Sequence, residues 1–158
     1  MSSPTNDLPM MAEGEGIVLF HPHMPKNAEK YVVDTLRSRW IGQGPKVDRF
    51  EHTFKEYFGQ PGPCLALGSG TDALHLAYIL AGLKPGDEVL TPVFTCTATN
   101  IPLHYLGATI KFIDVDPNTL NIDVKDLARK ISKNTRAIIV VHYGGLPCDM
   151  DEINDLAK

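Results

Sequence analysis

The chain has 158 residues, enough for one domain with a buried core, so a peptide or a disulfide-stapled miniprotein is excluded. Apolar residues make up 43% and charged residues 22%, and 13 glycines with 12 prolines show no repeat period, which excludes a disordered or collagen-like chain. A formal charge of −4 without a polybasic stripe argues against nucleic acid as a partner.

Cys64, Cys96 and Cys148 are too far apart for a Cys-x-x-Cys redox or zinc pair and fit a reducing cytoplasm. The first apolar run, Ile17 to Phe20, is too short for a signal-peptide core, and no run approaches the ~18 consecutive apolar residues of a membrane span. The expectation is a cytoplasmic chain with no membrane partner.

Residues 1–16 are polar and aperiodic and read as a mobile arm. Residues 17–62 read as an amino-terminal helical segment. Its first helix, Asn27 to Arg39, places Tyr31, Val32, Thr35 and Leu36 on one face, and WIGQGP interrupts it. Pro45 opens a second helix with Val47, Phe50, Phe54 and Phe58 at helical spacing, and Gly59 ends it. The three phenylalanines read as core or interface residues.

From residue 63 to 158 short apolar runs alternate with amphipathic segments, the pattern of an α/β unit. CLAL, EVLT, TIKFIDV and RAIIVV read as strands. Thr71 to Leu83, Thr97 to Leu106 and Val124 to Ile131 read as the helices between them, which predicts a mostly parallel sheet with crossover helices. Asp149 can cap a further helix carrying Met150, Ile153, Leu156 and Ala157. The chain ends at Lys158 without a capping glycine or a following strand, which reads as a break inside an element.

Gly68-Ser69-Gly70-Thr71-Asp72-Ala73 lies between a strand and a helix, where exposed N–H groups and the helix dipole favour an anion. A P-loop is excluded because no Gly-Lys-Ser/Thr follows. The spacing also matches the dinucleotide pattern G-x-G-x-x-A, but Thr91-Pro92 stands where the ribose-binding acid belongs and Asp87-Glu88 precede the strand. A tight turn with no ligand stays open as the plain alternative.

GSGTDALHLA, KPGDEVLTPVFTCTATN, LGATIKFIDVDPNTLNID and AIIVVHYGGLPCDMDEI form an ordered series that resembles the DegT/DnrJ/EryC1/StrS family of sugar aminotransferases, which are pyridoxal-phosphate enzymes. RSRWIGQGPKVDRFE, just before it, is similar to the family's amino-terminal helix and turn. The resemblance runs from about Trp40 to the last residue and covers the first part of a longer family chain. It implies the large domain of the fold type I aminotransferases, here an incomplete cofactor-binding α/β domain over 63–158. It further implies pyridoxal 5'-phosphate as cofactor, a nucleotide-linked keto sugar as substrate, an amino acid as donor and a homodimer. The setting would be sugar biosynthesis for polysaccharides or antibiotics.

Carried over by position, Gly70, Thr71 and Asp72 would hold the cofactor phosphate through backbone N–H groups and the Thr71 hydroxyl. Asp72 would lend its amide, with its carboxylate turned away because two anions at one helix end repel. Cys96 occupies the position from which an aromatic commonly stacks on the cofactor ring in the family, a departure. It would pack there as a small polarizable group, with buried filler as the plain alternative. Phe94 would take over only if the loop is displaced.

His142, where the family also tends to have a histidine, would touch cofactor or substrate; the plain alternative is a ring fixed by a backbone carbonyl. His21, His23, His52, His75 and His104 show no ligand spacing, and no metal is expected. Asp114, Asp116 and Asp123 around Pro117 and Asn118 read as a turn with solvated acids rather than as cation ligands.

The resemblance places the Schiff-base lysine and the acid on the pyridinium nitrogen downstream of Lys158. No lysine of this chain falls in a matching motif, so no catalytic residue is assigned and the 158-residue chain alone is expected to be inactive. Two other outcomes stay open: a dehydratase of the same family, with histidine in place of that lysine, and a non-catalytic remnant that only binds the phosphate ligand.

Overall fold

The computed structural model describes residues 22–158; the expected arm at 1–16, the apolar run at 17–20 and His21 lie outside the described residues. The chain divides into two compact units, Met1–Cys64 and Leu65–Lys158.

In the first unit, α1 (Ala28–Ser38) ends where Arg39 takes the left-handed conformation at φ 59° and its N–H donates to the Leu36 carbonyl. The Trp40 indole N–H then donates to the Gln43 carbonyl at 2.7 Å and folds the ring over Gly44. α2 (Pro45–Tyr57) starts on a proline, whose missing N–H is one that a helix start leaves unpaired in any case. The Lys46 ammonium donates to the Thr35 hydroxyl and the Tyr31 carbonyl, tying α2 to α1.

Phe50, Phe54 and Phe58 are 55%, 41% and 54% exposed, so they do not form a core among the described residues. They stack along their own helix instead, with ring centroids 5.8 and 4.5 Å apart, because helical spacing brings them together whether or not a partner covers them.

A Cβ at Gly44 would sit inside the Trp40 indole. Gly44→Ala is therefore expected to expel the ring from the turn. Trp40 is the single tryptophan, so its emission should shift to the red, and an unshifted spectrum would mean that the ring does not rest on Gly44.

The second unit runs α3 (Gly70–Leu80), β1 (Glu88–Pro92), α4 (Thr97–Tyr105), β2 (Thr109–Ile113), α5 (Val124–Lys130), β3 (Thr135–Ile138), a single 3-10 turn (Tyr143–Gly145) and α6 (Met150–Leu156). The sheet is parallel, in the order β2-β1-β3. Alternation along the strands sends Val89 to one face with Tyr78, Leu83 and Leu103, and Leu90 to the other with Ile113, Ile122, Leu127, Cys148 and Ile153. Helices α3 and α4 thus cover one face, and α5 and α6 the other.

The fourth expected strand, CLAL, is not formed: residues 64–67 join no sheet. They alternate between half-buried and exposed as a strand does, but the period alone makes no ladder, and none of β1, β2 and β3 pairs with them. Two expected strands also stop early. β2 ends at Ile113 because the Asp114 N–H turns to the Asp126 carboxylate at 2.8 Å, and the chain enters a narrow loop closed by the Val115–Ile122 bridge. β3 ends at Ile138, with one more bond from the Ile139 N–H to the Leu90 carbonyl, where β1 runs out at Pro92 and has no N–H to extend the ladder. Asp149 stands at the start of α6 but makes no side-chain cap.

Candidate functional site

Helices α3 and α4 each lead into the amino end of the next strand, so their own amino ends stand at the carboxyl edge of the sheet. Ligands of open α/β sheets bind at that edge. Four segments meet it: residues 68–72, the loop 93–96, the segment 139–145 after β3, and the amino end of α4.

Ser69 is the N-cap of α3, and its hydroxyl accepts the Asp72 N–H at 3.1 Å. The Asp72 amide, expected to face the phosphate, is therefore occupied inside the helix. Its carboxylate does not turn away either: Oδ2 lies 3.0 Å from where a Cβ of Gly68 would stand, so the side chain folds back over the turn. The Ser69-x-x-Asp72 spacing is the sequence signal for this cap. Of the first-turn donors, the Gly70 and Thr71 N–H groups have no acceptor among the described residues. The space beside Gly70 is open, with nothing within 4 Å of a Cβ built there. Two free donors, one hydroxyl and the positive end of an 11-residue helix suit a dianionic phosphate.

Cys96 is the N-cap of α4; its side chain makes no cap bond, and the thiol is free and exposed. The loop before it is held by a hydrogen bond of 2.7 Å between the Thr95 and Thr99 hydroxyls and by the Thr91 hydroxyl donating to Asn100 Oδ1 at 2.9 Å. The Tyr78 hydroxyl donates to the Thr99 carbonyl at 3.0 Å and joins α3 to α4; burial pushes its pKa up.

His142 is exposed, and its ring is fixed by a backbone N–H rather than by a carbonyl: Nδ1 accepts from Cys148 at 3.0 Å. In the neutral ring the proton is therefore on Nε2, which has no partner among the described residues and is a ready donor. Beside it, Tyr143 packs on Phe94 with ring centroids 4.8 Å apart and a tilt of 46°. This contact joins the segment after β3 to the loop that carries Cys96.

Asn121 escaped the sequence reading, since nothing in its neighbourhood marks it apart from the turn it follows. It is 5% exposed, accepts the Tyr143 N–H at 2.9 Å, and donates to the Leu146 and Pro147 carbonyls at 3.1 Å each. The preceding Leu120 holds a left-handed conformation, φ 60°, uncommon for a non-glycine residue.

The acids of the neighbouring loop serve the backbone. Asp116 accepts the Asn118 and Thr119 N–H groups, which hold its carboxyl below the usual range, Asp123 caps α5 by accepting from Lys125 and Asp126, and Asp114 accepts from Val115. Cys148 is buried, its pKa raised by that burial, and its thiol donates to the Val141 carbonyl at 3.3 Å.

The chain matches the DegT/DnrJ/EryC1/StrS aminotransferase family over residues 22–158. It is 41% identical over 137 residues to the spore coat polysaccharide biosynthesis protein SpsC of Bacillus subtilis, covering 87% of this chain and 35% of the relative. It is 38% identical over 143 residues to the GDP-perosamine synthase of Escherichia coli O157:H7, covering 90% of this chain and 39% of the relative. The PLP form of the putative sugar aminotransferase Spr1654 from Streptococcus pneumoniae superposes with a TM-score of 0.76 at 35% identity, over 85% of this chain and 34% of that one. The GDP-4-keto-6-deoxy-D-mannose-3-dehydratase of E. coli with bound hydrated PLP gives 0.76 at 32% identity, over 86% and 36%. The chain spans roughly a third of the length of the curated relatives it matches.

Proposed function

The chain belongs to the DegT/DnrJ/EryC1/StrS aminotransferase family, and from that premise we propose that it carries the phosphate cradle of a pyridoxal 5'-phosphate enzyme that moves an amino group from an amino acid to a nucleotide-linked keto sugar. The observation that carries this reading is the pair of N–H groups on Gly70 and Thr71 at the amino end of α3, which have no acceptor among the described residues, with open space beside Gly70. The names of the relatives, a GDP-perosamine synthase and sugar aminotransferases, support a nucleotide-sugar substrate. A homodimer in the cytoplasm belongs to the same proposal.

The residues present fit the group. Gly70 and Thr71 would bind its phosphate, and the Ser69 cap keeps those two donors aimed outward by holding the Asp72 amide inside the helix. When bound, the cofactor supplies the electron sink and carries the amino group between the two substrates. Cys96 would offer its small exposed side chain to the ring, and His142, whose Nδ1 accepts the Cys148 N–H, would present Nε2 to an oxygen of cofactor or substrate. By the family resemblance, the catalytic lysine would lie after Lys158.

A second reading, a sugar dehydratase of the same family, is favoured by the dehydratase structures among the structural neighbours. The test is spectroscopic, on the full-length gene product. Pyridoxal phosphate should give a visible absorbance band that borohydride abolishes if a lysine holds it, and the protein should then transaminate a keto sugar nucleotide. Reversible binding with loss of a sugar hydroxyl would mark the dehydratase. No bound cofactor, with NADH fluorescence enhanced instead, would sink both.

Thr71→Leu removes the hydroxyl and crowds the cradle. Pyridoxal phosphate affinity should fall about a hundredfold, the cost of losing one or two charge-assisted hydrogen bonds. Unchanged affinity by equilibrium dialysis would refute the phosphate assignment.

A further inference from the structure

At the carboxyl edge of the sheet stand two aromatic rings that belong to neither core cluster of the described residues. Phe94 is 44% and Tyr143 is 40% exposed, yet they touch each other across two loops that are 49 residues apart in sequence (143 − 94). A pair of rings placed there by chance would be loose. Tyr143 is not loose: its own N–H is held by Asn121, a nearly buried amide whose Nδ2 also grips the Leu146 and Pro147 carbonyls, so one side chain clasps the turn at three points.

The clasp is assembled against local preference. Leu120 adopts a left-handed conformation, a cost that surrounding structure must over-determine, and the next residue is the one directed into the turn. On the far side, the Cys148 N–H is bound to His142 Nδ1 and the Cys148 thiol to the Val141 carbonyl, which fix the residues just before Tyr143. The 93–96 loop is fixed as well, through Thr95 and Thr99. Two partly exposed rings in contact, each on a loop held by hydrogen bonds, at the carboxyl edge of an open sheet are suited to a flat aromatic partner, because offset or tilted ring contacts form at little entropic cost when the rings are already held.

We propose that Phe94 and Tyr143, positioned by Asn121, form an aromatic wall at the carboxyl edge that takes a planar heteroaromatic ring of a phosphorylated ligand. This rests on the proposed function, which supplies two such rings: the pyridine of the cofactor and the base of the nucleotide-linked sugar. The wall would also make up for the small side chain at Cys96. Asn121 is a positioning residue; Phe94 and Tyr143 make the contact.

The experiment measures equilibrium binding of three probes to the full-length gene product: pyridoxamine 5'-phosphate, which cannot bond covalently to lysines, guanosine diphosphate, and inorganic phosphate. Tyr143→Ala should weaken one of the two ring ligands about tenfold, a typical value of an aromatic contact, and leave inorganic phosphate unchanged. A loss confined to pyridoxamine phosphate assigns the wall to the cofactor, and a loss confined to guanosine diphosphate assigns it to the nucleotide. Tyr143→Phe should bind like the unaltered protein. Asn121→Asp, which turns an oxygen on the two carbonyls, should reproduce Tyr143→Ala, and the double variant should be no worse than either, because both act on one contact.

Thr71→Leu reports the phosphate cradle separately. If it weakens pyridoxamine phosphate while Tyr143→Ala and Phe94→Ala change neither ring ligand, the cofactor reading stands and the wall is overturned. If Asn121→Asp weakens all three probes equally, Asn121 merely holds the fold and its positioning role is overturned. Binding of neither ring ligand by the unaltered protein overturns both readings.

Discussion

Replacing Leu90 by alanine is expected to cost the α/β unit about 3–5 kcal/mol, at the upper end of large-to-small core substitutions. Leu90 is fully buried on the central strand, β1, and packs among Ile113, Ile122, Leu127, Cys148 and Ile153. Its backbone is held by β2 on one side and β3 on the other, so the strand cannot sink into the vacated space. The cavity would remain, and a loss of this size is a large fraction of the ~5–15 kcal/mol that stabilises an ordinary domain. Urea unfolding followed by far-ultraviolet circular dichroism measures it. Leu90→Met, close in volume, should cost under about 1.5 kcal/mol. An alanine variant within about 1 kcal/mol of the unaltered protein would mean that α5 and α6 do not close over this face.

The second large effect is expected at Asp126, which is 6% exposed on α5. Its carboxylate accepts the Asp114 N–H at 2.8 Å and meets Lys130 at 2.8 Å and Arg129 at 3.1 Å. Arg129 is 72% and Lys130 37% exposed, so solvent screens these pairs and their net worth is small. The bond to the Asp114 backbone carries more, because it fixes the point where β2 leaves the sheet. Asp126→Ala should therefore cost about 2–3 kcal/mol, the scale of a hydrogen bond to a charged group lost with its partner left unsatisfied. Asp126→Asn keeps an oxygen for the Asp114 N–H and should cost less.

The same carboxylate sets an acid limb. The Asp114 N–H, then Lys130, hold its pKa far below the ordinary 3.8. A depressed folded-state pKa contributes stability that is fully present above the unfolded value and is lost as pH falls below it. Stability should thus be flat with respect to this group from neutrality to about pH 4 and fall below that. Glu88, held down by the Thr135 and Ser132 hydroxyls, acts in the same direction. Asp126→Asn should flatten the acid limb; an unchanged slope in pH-dependent urea midpoints would remove Asp126 from the account.

Local patterns carried far into this molecule. The helical spacing of Tyr31 to Leu36 and of Val47 to Phe58 gave α1 and α2, and Pro45 gave the start of α2 within a residue. The runs after Leu83, Leu106 and Ile131 gave the three paired strands. The helix start at Gly70 and Thr71 was legible because a helix start produces unpaired N–H groups by its own geometry, whatever the rest of the chain does. The aromatic run on α2 was legible as a stripe, though what the stripe faces was not: the rings rest on one another and on solvent.

What sequence could not reach involves partners distant along the chain. CLAL has a strand's alternation, but a strand exists only through a neighbour's N–H and C=O groups, and none of the three described strands pairs with it. The lengths of β2 and β3 were decided by Asp126 and Pro92, each drawing or withholding one backbone bond from another element. Asn121 and the Phe94–Tyr143 contact join residues 22 to 49 positions apart, a pairing that no period records.

The sequence by itself thus determined the helices, the three apolar strand runs, the turn at the start of α3 with its Ser69 cap and the resemblance to its family, since each rests on residues within one element or on an ordered series of motifs. Only the tertiary structure decided which runs became strands, where β2 and β3 end, and that Asn121 fastens Tyr143 at the carboxyl edge of the sheet. The physical reason is that hydrogen-bond and packing competition is settled among all groups that the fold brings within reach, and sequence lists those groups without saying which will meet.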